Sequence, residues 1–357
     1  MRRDPRAPPR GFPFPERLPN LGARKSQESA RLSRRHFSLA LAGSLAAPSL
    51  LRAQQSTDEI RDLAVDLDQL HSIQIRRGDE TLLAEAPRGP GLTRVANIKS
   101  CSKSVLALIL GAVIDEGGIE SVEARLGDVA PSLIPSGATE GVEDLTMRDL
   151  VTLRAGLERT SGANYGAWVS SSNWVAYVLR QPRVAENGGQ MIYSTGTTHL
   201  LGAAIATATG DSLLTLARRH LGTPLGIEIP PWTRDPQGFY FGGNEMALTP
   251  QAMLRVAVAM RDGGRYDGAQ VLPADWVEAS QEARTRSRWS GLGYGYGWFL
   301  SDSGWILGRG YGGQVIAAHP ERDLAVAITS DPTRPARSGG YFGDLMGLLD
   351  GPIIALG

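Results

Sequence analysis

From Tyr294 onward the sequence breaks into short apolar runs joined directly by turn residues. The runs are Tyr294-Gly295-Tyr296-Gly297-Trp298-Phe299, Gly304-Trp305-Ile306-Leu307, Gln314-Val315-Ile316-Ala317 and Leu324-Ala325-Val326-Ala327-Ile328, and His319-Pro320-Glu321-Arg322-Asp323 is one of the turns. Strands connected so closely pair antiparallel, because a parallel neighbour needs a crossover of about a dozen residues or more. A βαβ sheet is therefore excluded over the last third of the chain. A second β signal lies near the other end, after a helical turn at Ala64: Ser72-Ile73-Gln74-Ile75-Arg76 alternates, Arg77 to Glu80 turns, and Thr81-Leu82-Leu83 continues.

Helical patterns fill the interval. Val105 to Ile114 is almost wholly apolar and stops at Gly117-Gly118, which reads as a buried helix with a glycine end. Thr146 stands as an N-cap before an apolar run, and Thr249-Pro250 opens a helix that reaches Arg261 before Asp262-Gly263-Gly264. Leu200 to Leu221 has helical spacing, with Gly210-Asp211 splitting it in two. The expectation is an α/β (α+β) fold in which an antiparallel sheet flanked by helices is closed by both chain ends. Residues 54–95 and 286–357 would form the sheet domain, and 96–285 a mostly helical inserted domain. No internal repeat is present.

Charge and cysteine usage narrow the function classes. Lys plus Arg equals Asp plus Glu, 37 each, so no net basicity suggests a nucleic-acid partner. The balance is uneven, however: residues 1–53 hold ten Arg and Lys25 against Asp4, Glu16 and Glu28. That segment is rich in Pro and Arg and ends in Ser33-Arg34-Arg35-His36-Phe37-Ser38-Leu39, followed by the apolar stretch Ala40 to Leu51. The pattern is that of a twin-arginine leader with a short hydrophobic region and a cut after Ala53. It predicts an exported protein, periplasmic or extracellular, whose precursor engages the twin-arginine machinery. Cys101 is the one cysteine, which excludes an internal disulfide and a multi-cysteine zinc site. The five histidines show no metal-ligand spacing, so no metal is expected.

The chemistry is signalled by lysine. Only Lys25, Lys99 and Lys103 among the 37 basic residues are lysines, and two of them fall in Ile98-Lys99-Ser100-Cys101-Ser102-Lys103-Ser104. Arginine stays protonated in proteins, whereas a desolvated lysine can lose its proton and act as a base. If the helix through Val105 begins near Ser100, then Ser100 and Lys103 lie about one turn apart on one face. Ser-x-x-Lys is then a compact nucleophile and base, with the helix N-terminus favouring a developing oxyanion. Read by spacing alone, Ser100 is equally a plain N-cap.

Several segments together make the pattern specific. Ser100-Cys101-Ser102-Lys103 with its apolar helix resembles the first motif of the serine β-lactamase and penicillin-binding superfamily. Met191-Ile192-Tyr193-Ser194-Thr195-Gly196 resembles the second motif of the class C branch, and Gly310-Tyr311-Gly312-Gly313-Gln314 stands where the third belongs. Leu145 to Thr152, Gly263 to Gly268 and Leu272 to Val277 are also similar to family segments. Within the branch the likeness is to 6-aminohexanoate-dimer hydrolases and related esterases, carried by Asn164-Tyr165-Gly166-Ala167-Trp168 and Ser171-Ser172-Asn173-Trp174. The resemblance implies a β-lactamase/transpeptidase-like fold and a cofactor-free serine hydrolase acting on a small ester or linear amide through an acyl-enzyme.

The same resemblance distributes the roles. Ser100 would be the nucleophile, Lys103 its base and Tyr193 the proton shuttle. The oxyanion hole would use the backbone N–H of Ser100 and that of Tyr311 or Gly312, beside Gly310. Tyr165, Trp168, Trp174, Thr195 and Arg309 are candidate substrate contacts, though the aromatic three equally suit packing between domains. Two departures disfavour penicillin hydrolysis: Thr195 replaces an Asn common among relatives, and Arg309-Gly310-Tyr311 replaces the Lys-Thr-Gly or His-x-Gly form.

Rival readings are weaker. Gly308-Arg309-Gly310-Tyr311-Gly312-Gly313 satisfies G-x-G-x-x-G, but a strand-like segment follows it where a dinucleotide site needs a helix. No G-x-S-x-G elbow supports a Ser-His-Asp triad. His199 and Cys101 read as core residues, and His319 as an exposed turn residue. The alternative from another class is a non-catalytic ligand-binding or sensor module on the same scaffold, and retention of Ser100, Lys103 and Tyr193 argues against it.

Overall fold

The computed structural model describes residues 56–357, so the leader reading lies outside the described residues. After helix α1 (56–66) come strands β1 (Leu70–Arg77), β2 (Glu80–Glu85) and the short β3 (Ala96–Asn97). Helices α2 (Cys101–Asp115), α3 (Leu126–Val129), α4 (Met147–Val151), α5 (Tyr165–Val169), α6 (Trp174–Leu179), α7 (Thr195–Thr209), α8 (Leu213–Ala217) and α9 (Thr223–Leu225) follow. Then come β4 (Ala247–Leu248), α10 (Pro250–Arg261), the small hairpin β5 (Arg265–Tyr266) and β6 (Ala269–Gln270), and α11 (Ala274–Ser280). Strands β7 (Thr285–Arg286), β8 (Gly293–Tyr294), β9 (Phe299–Leu300), β10 (Ile306–Gly310), β11 (Gln314–His319) and β12 (Leu324–Ser330) precede the closing helix α12 (Tyr341–Leu348).

Eight strands make one antiparallel sheet in the order β2-β1-β12-β11-β10-β9-β8-β7, so the first hairpin pairs with the last strand. Alternation along the strands sends neighbouring residues to opposite faces. Val315, Ala317, Val326 and Ile328 pack in a core with Ile60 of α1 and Phe342 and Leu345 of α12. Ile316, Ala318, Ala325 and Ala327 face the other way, into the larger core of α2, α7 and α10. Both faces are covered, which is why these strands read as continuous apolar runs.

Local signals explain the helix boundaries. Thr146 and Asp149 form a reciprocal capping box at α4, and Thr249 accepts from Ala252 N–H ahead of Pro250 at α10. Gly210, at φ 72°, ends α7 where the sequence pattern places the split. Three expectations are corrected. Tyr294 to Phe299 is not one strand but the tight β8–β9 hairpin, closed by Gly295 N–H to Trp298 O at 2.9 Å. A Cβ at Gly295 would strike the Ser280 carbonyl, so the chain turns there and sinks Trp298 into the core. Gly304-Trp305 belongs to a turn, not to β10. His319 is buried at the end of β11, with Nε2 2.8 Å from Ser303 O and its ring against Trp305. The edge of that turn folds over it.

One close approach positions the site. The start of α2 lies on β10, where a Cβ at Gly310 would collide with the Ile98 carbonyl. Ser104 Oγ, one turn on, donates to Gly297 O at 2.6 Å from the β8–β9 hairpin. A glycine on β10 therefore sets the distance between the helix N-terminus and the sheet.

Candidate active site

Ser100 is the N-cap of α2, yet its side chain makes no capping hydrogen bond, so its Oγ is free for other partners. It faces a cavity of about 610 Å³, together with Tyr193, Thr195, Arg309, Gly310 and Tyr311. Lys103, one turn along the buried face of α2, brings Nζ to 3.0 Å from Ser100 Oγ. The same nitrogen donates to Gly243 O at 2.7 Å and lies 3.4 Å from Thr195 Oγ1. No acid stands within ion-pair distance of it among the described residues. Burial accordingly lowers its pKa to about 7, against a weak opposing effect from Cys101. An amine in this state is a competent base near neutrality.

Tyr193 completes the cluster from the segment before α7. Its ring centroid is 5.0 Å from Lys103 Nζ, the ring stacks on Phe299, and the phenol interacts with the Ser100 side chain. Burial raises its pKa, outweighing the lowering by Ser100 and Arg309, so the phenol keeps its proton at neutral pH. Thr195, first residue of α7, is fixed through Ser161: Thr195 N–H donates to Ser161 Oγ at 2.8 Å, and the two hydroxyls are 2.9 Å apart. Cys101 points the opposite way, its thiol on Gln314 O and its pKa pushed up by burial.

The third-motif residues divide. Gly310 ends β10 and lines the cavity with Tyr311, whose side chain is half exposed. Gly312 does not line it: the residue is turned against the Asp331 carbonyl and Pro332. Arg309 reaches the cavity wall with its guanidinium carbon 3.3 Å from the Phe342 ring centroid and 5.2 Å from that of Phe299. Its polar contact is Nη2 to Ser338 Oγ at 3.3 Å. Burial lowers its pKa to about 10, which leaves it cationic at neutral pH.

The aromatic candidates divide too. Tyr165 lines the cavity and accepts from Asn244 Nδ2 at 3.2 Å. Trp168 and Trp174 do not. Both are buried, and with Phe241 they surround His199, whose Nε2 is 3.0 Å from Asp235 Oδ2. Their indole N–H groups bond to Trp174 O and Val169 O, so they close the core behind α7.

Several residues of the site carry no signal in the sequence. Gly243 contributes a carbonyl, which no residue type announces. Trp289, Phe299 and Phe342 come from three separate segments and meet only in the folded chain. Glu245, beside Asn244, pairs with Lys99 at 3.0 Å at the cavity edge. Among the described residues no group of His, Cys, Asp and Glu is arranged to hold a metal ion.

Comparison with known proteins identifies the family and the fold. The profile of the family described as Beta-lactamase matches residues 84–343. The 6-aminohexanoate-dimer hydrolase of Paenarthrobacter ureafaciens is 24% identical over 263 residues, covering 67% of each chain. EstCE1, a hydrolase with promiscuous acyltransferase activity, superposes with a TM-score of 0.71 at 15% identity, over 85% of this chain and 100% of its own. The octameric penicillin-binding protein homologue from Pyrococcus abyssi gives 0.65 at 16% identity, over 83% and 77%. With a β-lactamase/transpeptidase-like fold and the family profile spanning most of its length, this chain belongs to the β-lactamase family, within the serine β-lactamase and penicillin-binding protein superfamily.

Proposed function

We propose that this hydrolase of the β-lactamase superfamily cleaves esters or linear amides through an acyl-enzyme on Ser100. The observation that carries the reading is the Lys103–Ser100 contact of 3.0 Å, made by an amine that burial holds near a pKa of about 7. Neutral Lys103 takes the Ser100 proton as Oγ attacks the substrate carbonyl. Backbone N–H groups of Ser100 and Tyr311 receive the oxyanion, since Tyr311 and not Gly312 lines the cavity. Tyr193, still a phenol, gives its proton to the leaving group and regains one from Lys103. Water then attacks the acyl-enzyme along the reverse route. Thr195, through Lys103 and Ser161, holds the base in place.

The cavity favours a particular kind of substrate. Rings of Tyr165, Trp289, Phe299, Tyr311 and Phe342 line it, which suits an apolar acyl or leaving group. Arg309, a cation with no acid partner among the described residues, supports a substrate bearing a carboxylate on that side. Residues 1–53 support export by the twin-arginine route. Replacing Arg34 and Arg35 by lysine should retain the precursor inside the cell.

The test is intact mass after incubation with a fluorophosphonate, wild type beside Ser100→Ala, with short-chain nitrophenyl esters assayed in parallel. One adduct and ester turnover in wild type alone are expected. A folded wild type that gains neither overturns the reading and leaves a ligand-binding module. Labelling that persists in Ser100→Ala places the nucleophile elsewhere. A mono-nitrophenyl succinate turned over no faster than the butyrate removes the carboxylate from the substrate description.

A further inference from the structure

Two residues with side chains, Lys99 and Glu245, adopt the left-handed backbone conformation at φ 50° and 67°, and they face each other at the edge of the cavity. Such a conformation costs about 1 kcal/mol or more and persists only where neighbours enforce it. The enforcement here is mutual. Lys99 Nζ lies 3.0 Å from Glu245 Oε1, and Asn97 Nδ2 donates to Glu245 Oε2 at 2.5 Å. Asn97 Oδ1 accepts from Lys99 N–H at 2.9 Å. Ser102 adds a third tie: its hydroxyl donates to Lys99 O at 2.6 Å and accepts from Met246 N–H at 3.2 Å. The ladder of β3 and β4 runs directly behind, with Ile98 N–H on Met246 O at 2.9 Å.

These ties join two segments that hold the reacting groups. Lys99 precedes Ser100. Glu245 follows two residues after Gly243, whose carbonyl holds Lys103 Nζ. The spacing between Ser100 Oγ and Lys103 Nζ therefore depends on how the 97–99 segment sits against 243–246. We propose that the Lys99–Glu245 ion pair is a positioning device that sets Ser100 and Gly243, and hence the Ser100–Lys103 contact, at the cost of two strained residues. The inference rests on the reading of Ser100 as nucleophile and Lys103 as base. Neither partner is exposed enough to be an ordinary surface pair: their side chains are 20% and 26% accessible.

The experiment compares wild type, Lys99→Gln, Glu245→Gln, the double variant and Lys99→Gly. Each is assayed for fluorophosphonate labelling of Ser100, for kcat and KM on a nitrophenyl ester, and for thermal stability. Fluorophosphonate is small, so its rate reports on Ser100 and Lys103 with little contribution from substrate contacts. Both single Gln variants should label and turn over about tenfold more slowly, with KM changed less than about twofold, since small displacements of reacting groups are costly. The double variant should be no slower than either single one, because the pair acts as a unit. Lys99→Gly relieves the strain, so it should stay as stable as wild type while labelling as slowly as Lys99→Gln. Unchanged labelling in the Gln variants overturns the proposal, as does a rise in KM alone, which would make the pair a substrate contact. So does a Lys99→Gly protein that labels at the wild-type rate. Failure of wild type itself to label would instead strike the underlying assignment of Ser100, and the inference with it.

Discussion

Two cations are buried in this molecule and are treated in opposite ways. Lys103, 3% exposed, sits at the base of α2 with a carbonyl and two hydroxyls but no carboxylate. Arg261, at the end of α10, is 7% exposed. Its Nε and Nη2 bond to Asp262 at 2.6 and 2.8 Å, Asp323 is 3.1 Å away, and Nη1 donates to the carbonyls of Gly78 and Asp323. Burial alone would lower both pKa values. It does lower that of Lys103, whereas the acids beside Arg261 more than offset it and raise the arginine's. A paired buried cation stitches turns together, here β1–β2 and β11–β12 onto α10. An unpaired one is costly to keep charged, and that cost is what suits it to the proposed role of a base.

The largest test of this contrast is Lys103→Arg. It keeps the charge and removes the ability to lose a proton, so kcat/KM on a nitrophenyl ester should fall by about 10³-fold or more. Retained activity would end the general-base role. Tyr193→Phe keeps the stacked ring and deletes the phenol, and should cost about 10²-fold in kcat with the protein as stable as before. Unchanged turnover would remove Tyr193 from the proton path. Arg261→Met should do the reverse of the first change. Stability by chemical denaturation should fall by about 2–3 kcal/mol as two aspartates lose their partner, while kcat stays within about twofold. A protein crippled in activity but not in stability would mean the two cations are less separate than their surroundings indicate.

Acidity supplies the finest test. Below about pH 7 Lys103 takes up a proton, so wild-type kcat/KM should fall with decreasing pH through that value. The stability effect follows from the same depression. The folded-state pKa is about 7, against 10.5 for a lysine in the unfolded chain. Between the two the unfolded chain binds more protons, so stability rises with pH across that window, and the burial penalty is fully present below it. Lys103→Met removes the penalty and should raise stability at pH 7 by up to about 2 kcal/mol, a gain that shrinks toward pH 10. A variant no more stable than wild type at either pH would indicate that Lys103 is not held against its charge.

The aromatic residues show where sequence reasoning stops. Tyr165, Trp168 and Trp174 were equally good candidates by type and spacing, yet only Tyr165 reaches the cavity. Which way a ring on a short helix points depends on its neighbours, and His199 and Phe241 draw both tryptophans into the core. Gly312 fails in the same manner: a glycine in a turn shows that the backbone is unusual but not which way its N–H faces.

What the sequence by itself determined was whatever is encoded locally. The antiparallel sheet follows from short runs with short turns, the start of α4, the end of α7 and both ends of α10 from their local signals, and the placing of Ser100 and Lys103 on one face from a three-residue interval at the start of one helix. Only the tertiary structure decided what surrounds those groups. The carbonyl of Gly243 under Lys103, the hydroxyl of Tyr193 at Ser100, the rings around Arg309 and the pairing of Lys99 with Glu245 each join segments far apart in the chain. Periodicity and capping act over a turn or two of backbone. Desolvation is a property of everything packed within a few ångströms, so the lowered pKa of Lys103 comes from the packing and not from the motif that contains it.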